Sequence, residues 1–257
     1  MKTKFIILGS GYSFGVPRPD GNWGNCNSKN KKNYRTRCSA FIRSEIKNII
    51  IDTSPDLRFQ LIKNRIKKID CAIFSHMHGD QIHGINDLRI FSLNKNRELP
   101  IYADKKTSKY LIDNFSYCFN NSHSYKAILK LNHLKKKLIF KKNNKILNIK
   151  SIPVQHGKIL SQSFIINNKC GYVSDTNKIF DKDLKYFKNL KYLVIDCLRY
   201  KPHPSHYSLY EVINLHNVLK PKKTILTNLN IELDYGKLMK TLPKNIVPAY
   251  DGMSFYI

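Results

Sequence analysis

Short apolar, β-branched runs recur along the chain: Phe5–Leu8, Ile49–Ile51, Cys71–Phe74, Phe164–Ile166, Leu193–Ile195 and Thr224–Leu226. Each reads as a buried strand. Helical patterns lie between several of them. Pro55 to Asn64 opens with Pro at a first-turn position, and Ser208-Leu-Tyr-Glu211 is a capping box that starts a helix running to about Leu219. Strands alternating with helices argue for a layered α/β domain. No repeat and no Pro/Ser-rich linker divides the chain, so residues 1–257 read as one domain. Gly15 to Arg37, with its Pro, Gly, Asn and basic residues, reads as a long surface loop.

Polar residues follow directly on the apolar runs: Asp52, His76, Asp175, Asp196 and Asn228. In α/β sheets ligands sit outside the carboxyl ends of strands, so reactive groups are expected to gather there.

Composition narrows the picture. The chain carries 45 Lys and Arg against 18 Asp and Glu, a net charge of +27. Such a field attracts RNA or other polyanions at low salt. The wealth of Lys, Asn and Ile is equally what A/T-rich codons would produce, so charge alone assigns no partner. Met1-Lys-Thr-Lys4 leads into an apolar run too short for a secretory signal, and no run approaches the ~20 residues that span a bilayer. The expected setting is cytoplasmic, with no membrane partner. The six cysteines are scattered without a CxxC, as expected of reduced thiols.

The strongest chemical signal is Ser75-His76-Met77-His78-Gly79-Asp80. Two His at i and i+2 in a strand-end turn can reach one cation, with a carboxylate close behind. His156 and Asp175 are the candidates to complete a tetrahedral zinc set. His203 and His206 follow the strand ending at Asp196, and either can serve as a general acid. His83 lies close enough to Asp80 to support it, whereas His123, His133 and His216 read as surface or core residues. Gly9-Ser-Gly11-Tyr-Ser-Phe-Gly15 follows a strand, but its third Gly is one place late and no acidic residue follows at ribose distance. A dinucleotide loop is therefore rejected, and a tight turn offering backbone N–H groups to a phosphate is expected instead.

Together these residues resemble the metallo-β-lactamase fold superfamily, in the branch of the phosphonate-pathway cyclic phosphodiesterase and, more distantly, ribonuclease Z. Leu8-Gly-Ser-Gly11, Asp52-Thr-Ser-Pro-Asp56-Leu-Arg58, His76-x-His78-x-Asp80, His156-Gly157, Ser174-Asp175-Thr176, Pro202-His-Pro-Ser-His206 and Pro248-Ala-Tyr-Asp-Gly252 carry the likeness along nearly the whole chain. It implies a four-layer αββα sandwich with two metals at one edge. His76, His78 and His156 would hold the first metal and Asp175 would bridge. Asp80, a following His and a C-terminal His would hold the second. Here those two histidines are Gln81 and Asn228. Three outcomes stay open: the amides help the carboxylates gather a hard cation such as manganese or magnesium; the second site is empty; or the chain binds without hydrolysing. The cysteine-rich structural zinc site of some relatives is also missing, since Cys26 stands alone in its loop.

The function expected from this resemblance is a zinc-dependent phosphodiesterase acting on a small, cyclic or nucleotide-like phosphodiester. Asp80 would orient the attacking hydroxide, His206 or His203 would protonate the leaving group, and basic residues of Arg18–Arg37 would neutralise the phosphate. An RNA-end nuclease and a non-catalytic binding protein are the alternatives, and a homodimer is left open.

Overall fold

The computed structural model describes residues 2–121 and 125–257, so His123 lies outside the described residues. In chain order the strands are β1 (Lys4–Gly9), β2 (Ser39–Arg43), β3 (Ile49–Ile51), β4 (Cys71–Ile73), β5 (Leu99–Ala103), β6 (Leu129–His133), β7 (Lys137–Lys142), β8 (Lys145–His156), β9 (Ile159–Ile166), β10 (Cys170–Val173), β11 (Tyr192–Asp196), β12 (Thr224–Thr227), β13 (Ile246–Pro248) and β14 (Ser254–Tyr256). They form two seven-stranded sheets, ordered β14-β1-β2-β3-β4-β5-β6 and β13-β12-β11-β10-β9-β8-β7. The helices are α1 (Leu57–Lys63), α2 (Gly79–Ile82), α3 (Arg89–Leu93), α4 (Lys105–Asn114), α5 (Leu209–Leu219) and α6 (Tyr235–Thr241), with short 3₁₀ turns between.

The apolar runs are continuous because each strand is buried on both faces. Phe5, Ile7, Ile49, Ile51, Cys71 and Ile73 meet Ile149, Phe164, Tyr172, Val194 and Ile225 between the sheets. Their neighbours Ile6, Leu8, Ile50, Ala72 and Phe74 face outward against Leu57 and Leu61 of α1, Ile82 of α2, Phe91 of α3 and Leu111 of α4. Leu193, Ile195 and Leu226 do the same beneath Val212 and Leu219 of α5 and Leu238 of α6. Three apolar layers between helix, sheet, sheet and helix make the αββα sandwich.

All six expected strands form, and the capping box closes as read: the Ser208 hydroxyl and Glu211 carboxylate cap α5 reciprocally. The helix expected from Pro55 instead starts at Leu57, with Pro55 and Asp56 in the preceding turn. The segment Gly15–Arg37 departs from the surface loop expected of it. Arg35 is 1 % exposed, and Val16, Cys26 and Asn33 are buried as well. The Arg35 guanidinium donates to the carbonyls of Asn230 and Leu233 at 3.2 and 2.7 Å and to Asn33 Oδ1 at 3.1 Å. A buried charge persists when most of its donors are met, as the two terminal nitrogens are here. Cys26 lies against the same guanidinium, 3.9 Å from Nη1.

The Gly9–Gly15 turn keeps three of its amides within the fold. The Ser10 N–H donates to Asp251 Oδ1, the Gly11 N–H to the Thr36 carbonyl and the Gly15 N–H to the Tyr12 carbonyl. These amides are spent within the fold rather than offered to a phosphate. A Cβ on Gly9 would sit 1.9 Å from the Arg37 carbonyl oxygen, so glycine serves close packing there.

Candidate metal centre

Strand direction gathers the polar residues. β3 and β4 run parallel, as do β10, β11 and β12. Asp52, Ser75 and His76 therefore emerge at one edge of the first sheet, and Asp175, Asp196 and Asn228 at one edge of the second. The edges are stitched where the Gln162 N–H of β9 donates to the Ser75 carbonyl at 2.9 Å. Asp52, Asp175 and Asn228 turn the chain in the left-handed region, with φ of 60°, 49° and 59°.

His76, His78 and His156 converge. His76 Nε2 lies 3.0 Å from His78 Nδ1, and His156 Nε2 lies 3.3 Å from the same atom. Ligand nitrogens on a tetrahedral ion at about 2.0–2.1 Å are separated by about 3.3 Å, so the spacing fits one zinc-sized cation. The tautomers agree. His156 Nδ1 donates to the Ser205 carbonyl at 2.7 Å, which leaves Nε2 as a lone pair facing its neighbours. Ser75 Oγ sits 3.0 Å from His76 Nδ1 and holds that ring by its far side. Burial, with His156 and His78 adding to it, lowers His76 to about 3, so its imidazole is neutral and available as a ligand. Gly157, at φ 57°, turns the chain after His156, and a Cβ there would meet Ser205 at 3.0 Å.

Asp175 is 3 % exposed and shares a second cluster with His156 and His206. Burial opposes its charge, but His76, His206 and His156 outweigh it and hold the carboxyl below its usual range. Asp80 is pushed up by burial and by the charge of Asp175.

Between these two carboxylates stands Gln81. Its Nε2 is 3.0 Å from Asp80 Oδ2 and 3.0 Å from Asp175 Oδ2. Its Oε1 is buried without a hydrogen-bond partner among the described residues. Asn228 Oδ1 accepts from Cys38 Sγ at 2.9 Å and lies 3.2 Å from Ser174 Oγ. The expected gathering of a hard cation by these amides thus meets two obstacles: one presents nitrogen to the carboxylates, and the other has its oxygen already engaged.

The two candidate acids separate. His206 Nδ1 lies 2.6 Å from Asp196 Oδ2, whereas His203 Nδ1 has only the Ser205 hydroxyl and N–H beside it. Burial alone would lower His206, but Asp196 raises it to about 9. His206 also stacks edge-on against His156, ring centroids 4.8 Å apart. Asp196 is the partner that sequence reasoning did not assign, although its place at the end of an apolar run was visible.

Other candidates fall away from the centre. Arg18 pairs with Asp20, Arg37 with Asp56, and Arg35 is buried, so the three loop arginines are engaged elsewhere. His83 stacks on Phe115 and His216 bonds Thr224 Oγ1. The groove of 710 Å³ between α1 and α3 shares no residue with the histidine cluster. Among the described residues no helix is long and apolar enough to cross a membrane, and all six cysteines are buried thiols.

Comparison with known proteins agrees with this architecture. Residues 47–227 match the family described as the beta-lactamase superfamily domain. The crystal structure of a diphosphatase from the PhnP family superposes with a TM-score of 0.90 over 100 % of this chain and 98 % of its own, at 29 % identity. Human tRNase Z, short form, shares the fold at a TM-score of 0.68 and 14 % identity, covering 98 % of each chain. An octanoyltransferase of Porphyromonas gingivalis is 29 % identical over 256 residues, 98 % of this chain and 51 % of that protein, so this chain spans about half of that relative's length. With its facing sheets and strand-end histidine cluster, the chain belongs to the beta-lactamase superfamily and has the metallo-β-lactamase fold.

Proposed function

We propose that the chain is a metal-dependent phosphodiesterase acting on a small phosphodiester or nucleotide-like substrate. The observation that carries this reading is the convergence of His76 Nε2, His78 Nδ1 and His156 Nε2 beside the Asp196–His206 pair. The likeness to a diphosphatase of the PhnP family supports the phosphorus chemistry. His76, His78 and His156 would hold a zinc-sized cation, with Asp175 adjoining. When bound, such an ion lowers the pKa of water toward about 7 and polarises a phosphoryl oxygen.

The chain's own residues supply the rest. Ser75 and the Ser205 carbonyl fix the His76 and His156 rings. Asp196 holds His206 as an imidazolium, whose Nε2 proton goes to the leaving oxygen. Asp80, with its raised pKa, accepts a proton from or orients the attacking water. The net charge of +27, taken together with the fold shared with human tRNase Z, supports RNA as a second substrate class. Purified protein supplied with Zn²⁺ or Mn²⁺ should hydrolyse bis(p-nitrophenyl) phosphate or a cyclic nucleotide, and His76→Ala should abolish this. RNA cleavage that collapses with added salt, without small-substrate turnover, would shift the assignment to a nuclease.

A further inference from the structure

We propose that Gln81 stands in place of a second metal ion, so that this chain binds one divalent cation and braces its two carboxylates with an amide. The inference rests on the three-histidine site described above and concerns what lies beside it. The residues do not fit a second ion. Two carboxylates and an amide nitrogen face one another where the superfamily resemblance places a dinuclear centre. A carboxylate oxygen 3.0 Å away on each side requires donors, and the two N–H bonds of one primary amide supply one to each. With the amide turned over, Oε1 would confront both carboxylates, and a cation or a proton would have to come between them.

Three further observations bear on the choice. Gln81 is fully buried, and its backbone is pinned: its N–H donates to the His78 carbonyl and its carbonyl accepts from the Thr53 N–H at 2.7 Å. Its reach to the carboxylates is therefore set by the fold. The second missing ligand has also left. Asn228 Oδ1 accepts from the Cys38 thiol at 2.9 Å, and the Ser174 hydroxyl gives its one proton to Asp175 Oδ2 at 2.7 Å. Asp175 Oδ2 thus accepts from Gln81 and Ser174 together, which saturates the oxygen that a bridging role would need.

Gln81 acts here as a positioning residue. It ties Asp175, which adjoins the three histidines, to Asp80, the proposed water-orienting group.

The test is metal stoichiometry, read by elemental analysis and by calorimetric titration of stripped protein with Zn²⁺ and with Mn²⁺. Wild type should bind one equivalent. His76→Ala should lose it. Gln81→His combined with Asn228→His, checked for native circular dichroism, should bind two. Two equivalents in wild type would overturn the proposal and make the Gln81 oxygen a ligand, as would a double variant that folds and still binds one. Binding of no ion by wild type, or one ion retained by His76→Ala, would instead overturn the three-histidine site itself. Should the double variant fail to fold, the wild-type count alone decides.

Discussion

Asp196 Oδ2 accepts from His206 Nδ1 across 2.6 Å, although one residue ends a strand and the other lies in the loop that precedes α5. The carboxylate is fully buried, so the imidazolium is what makes its charge tolerable, and the carboxylate in turn fixes which nitrogen faces outward. His206→Ala should lower kcat/KM on an alkyl phosphodiester by about 10²–10⁴-fold. The loss should shrink on a p-nitrophenyl ester, whose leaving group needs no proton. Asp196→Asn should follow the same leaving-group pattern. An equal loss on both substrates would rule out His206 as the acid.

Binding of a cation at the histidine cluster should be visible without any substrate. Zn²⁺ at 100 times its dissociation constant should stabilise the fold by about 2.7 kcal/mol, measured as a rise in melting temperature that a chelator reverses. His76→Ala should erase the rise. A rise that survives this substitution would place the ion elsewhere.

Asp251 predicts a stability effect. Its two oxygens accept from the Ser10 N–H and hydroxyl and from the Thr36 N–H and hydroxyl. Asp251→Ala leaves four buried donors without an acceptor and should cost about 3 kcal/mol in urea unfolding. Asp251→Asn, which keeps an oxygen, should cost less. Equal stability of all three proteins would contradict this account.

Asp70 predicts an acid limb. Burial works against its charge, but Lys95 Nζ at 2.8 Å and the Asn48 N–H hold the carboxyl below its usual range. A depressed carboxylate contributes stability that is fully present above its unfolded pKa of about 3.9 and is lost as pH falls through the folded value. Asp70→Asn should therefore lower the melting temperature at neutrality and converge with wild type in strong acid, which flattens melting temperature against pH between the two. An unchanged acid slope would show that other carboxylates set it.

Much of the fold could be read because local pattern and burial agree. Phe5–Leu8 and Ile49–Ile51 are apolar throughout since both faces of each strand are covered. The β7–β8 hairpin was not read. Leu138, Leu147 and Ile149 are buried, but the exposed Ile139 and Ile146 beside them break the alternation of apolar and polar residues, which masks the strand pattern. Arg35 was read as surface because its type is polar; its burial depends on carbonyls 195 and 198 residues away. At the site, the nearness of His76 to His78 was visible within six residues. The preference for His206 over His203 was not, since it depends on where Asp196 points. Gln81 could be recognised only as a missing imidazole. That its nitrogen touches Asp80 beside it and Asp175, 94 residues further on, needed the fold.

The left-handed turns at Asp52, Asp175 and Asn228 bind two kinds of constraint together. Asp and Asn enter that conformation more readily than bulky or β-branched residues. A replacement at any of these positions is thus judged twice, once by the backbone and once by the cavity it faces. Few substitutions survive both, and the route open to drift is narrow. Asparagine at 228 lies on that route: it keeps the turn comfortable while giving up an imidazole. A mutational scan should find these strand ends intolerant even where metal binding is not the selected property.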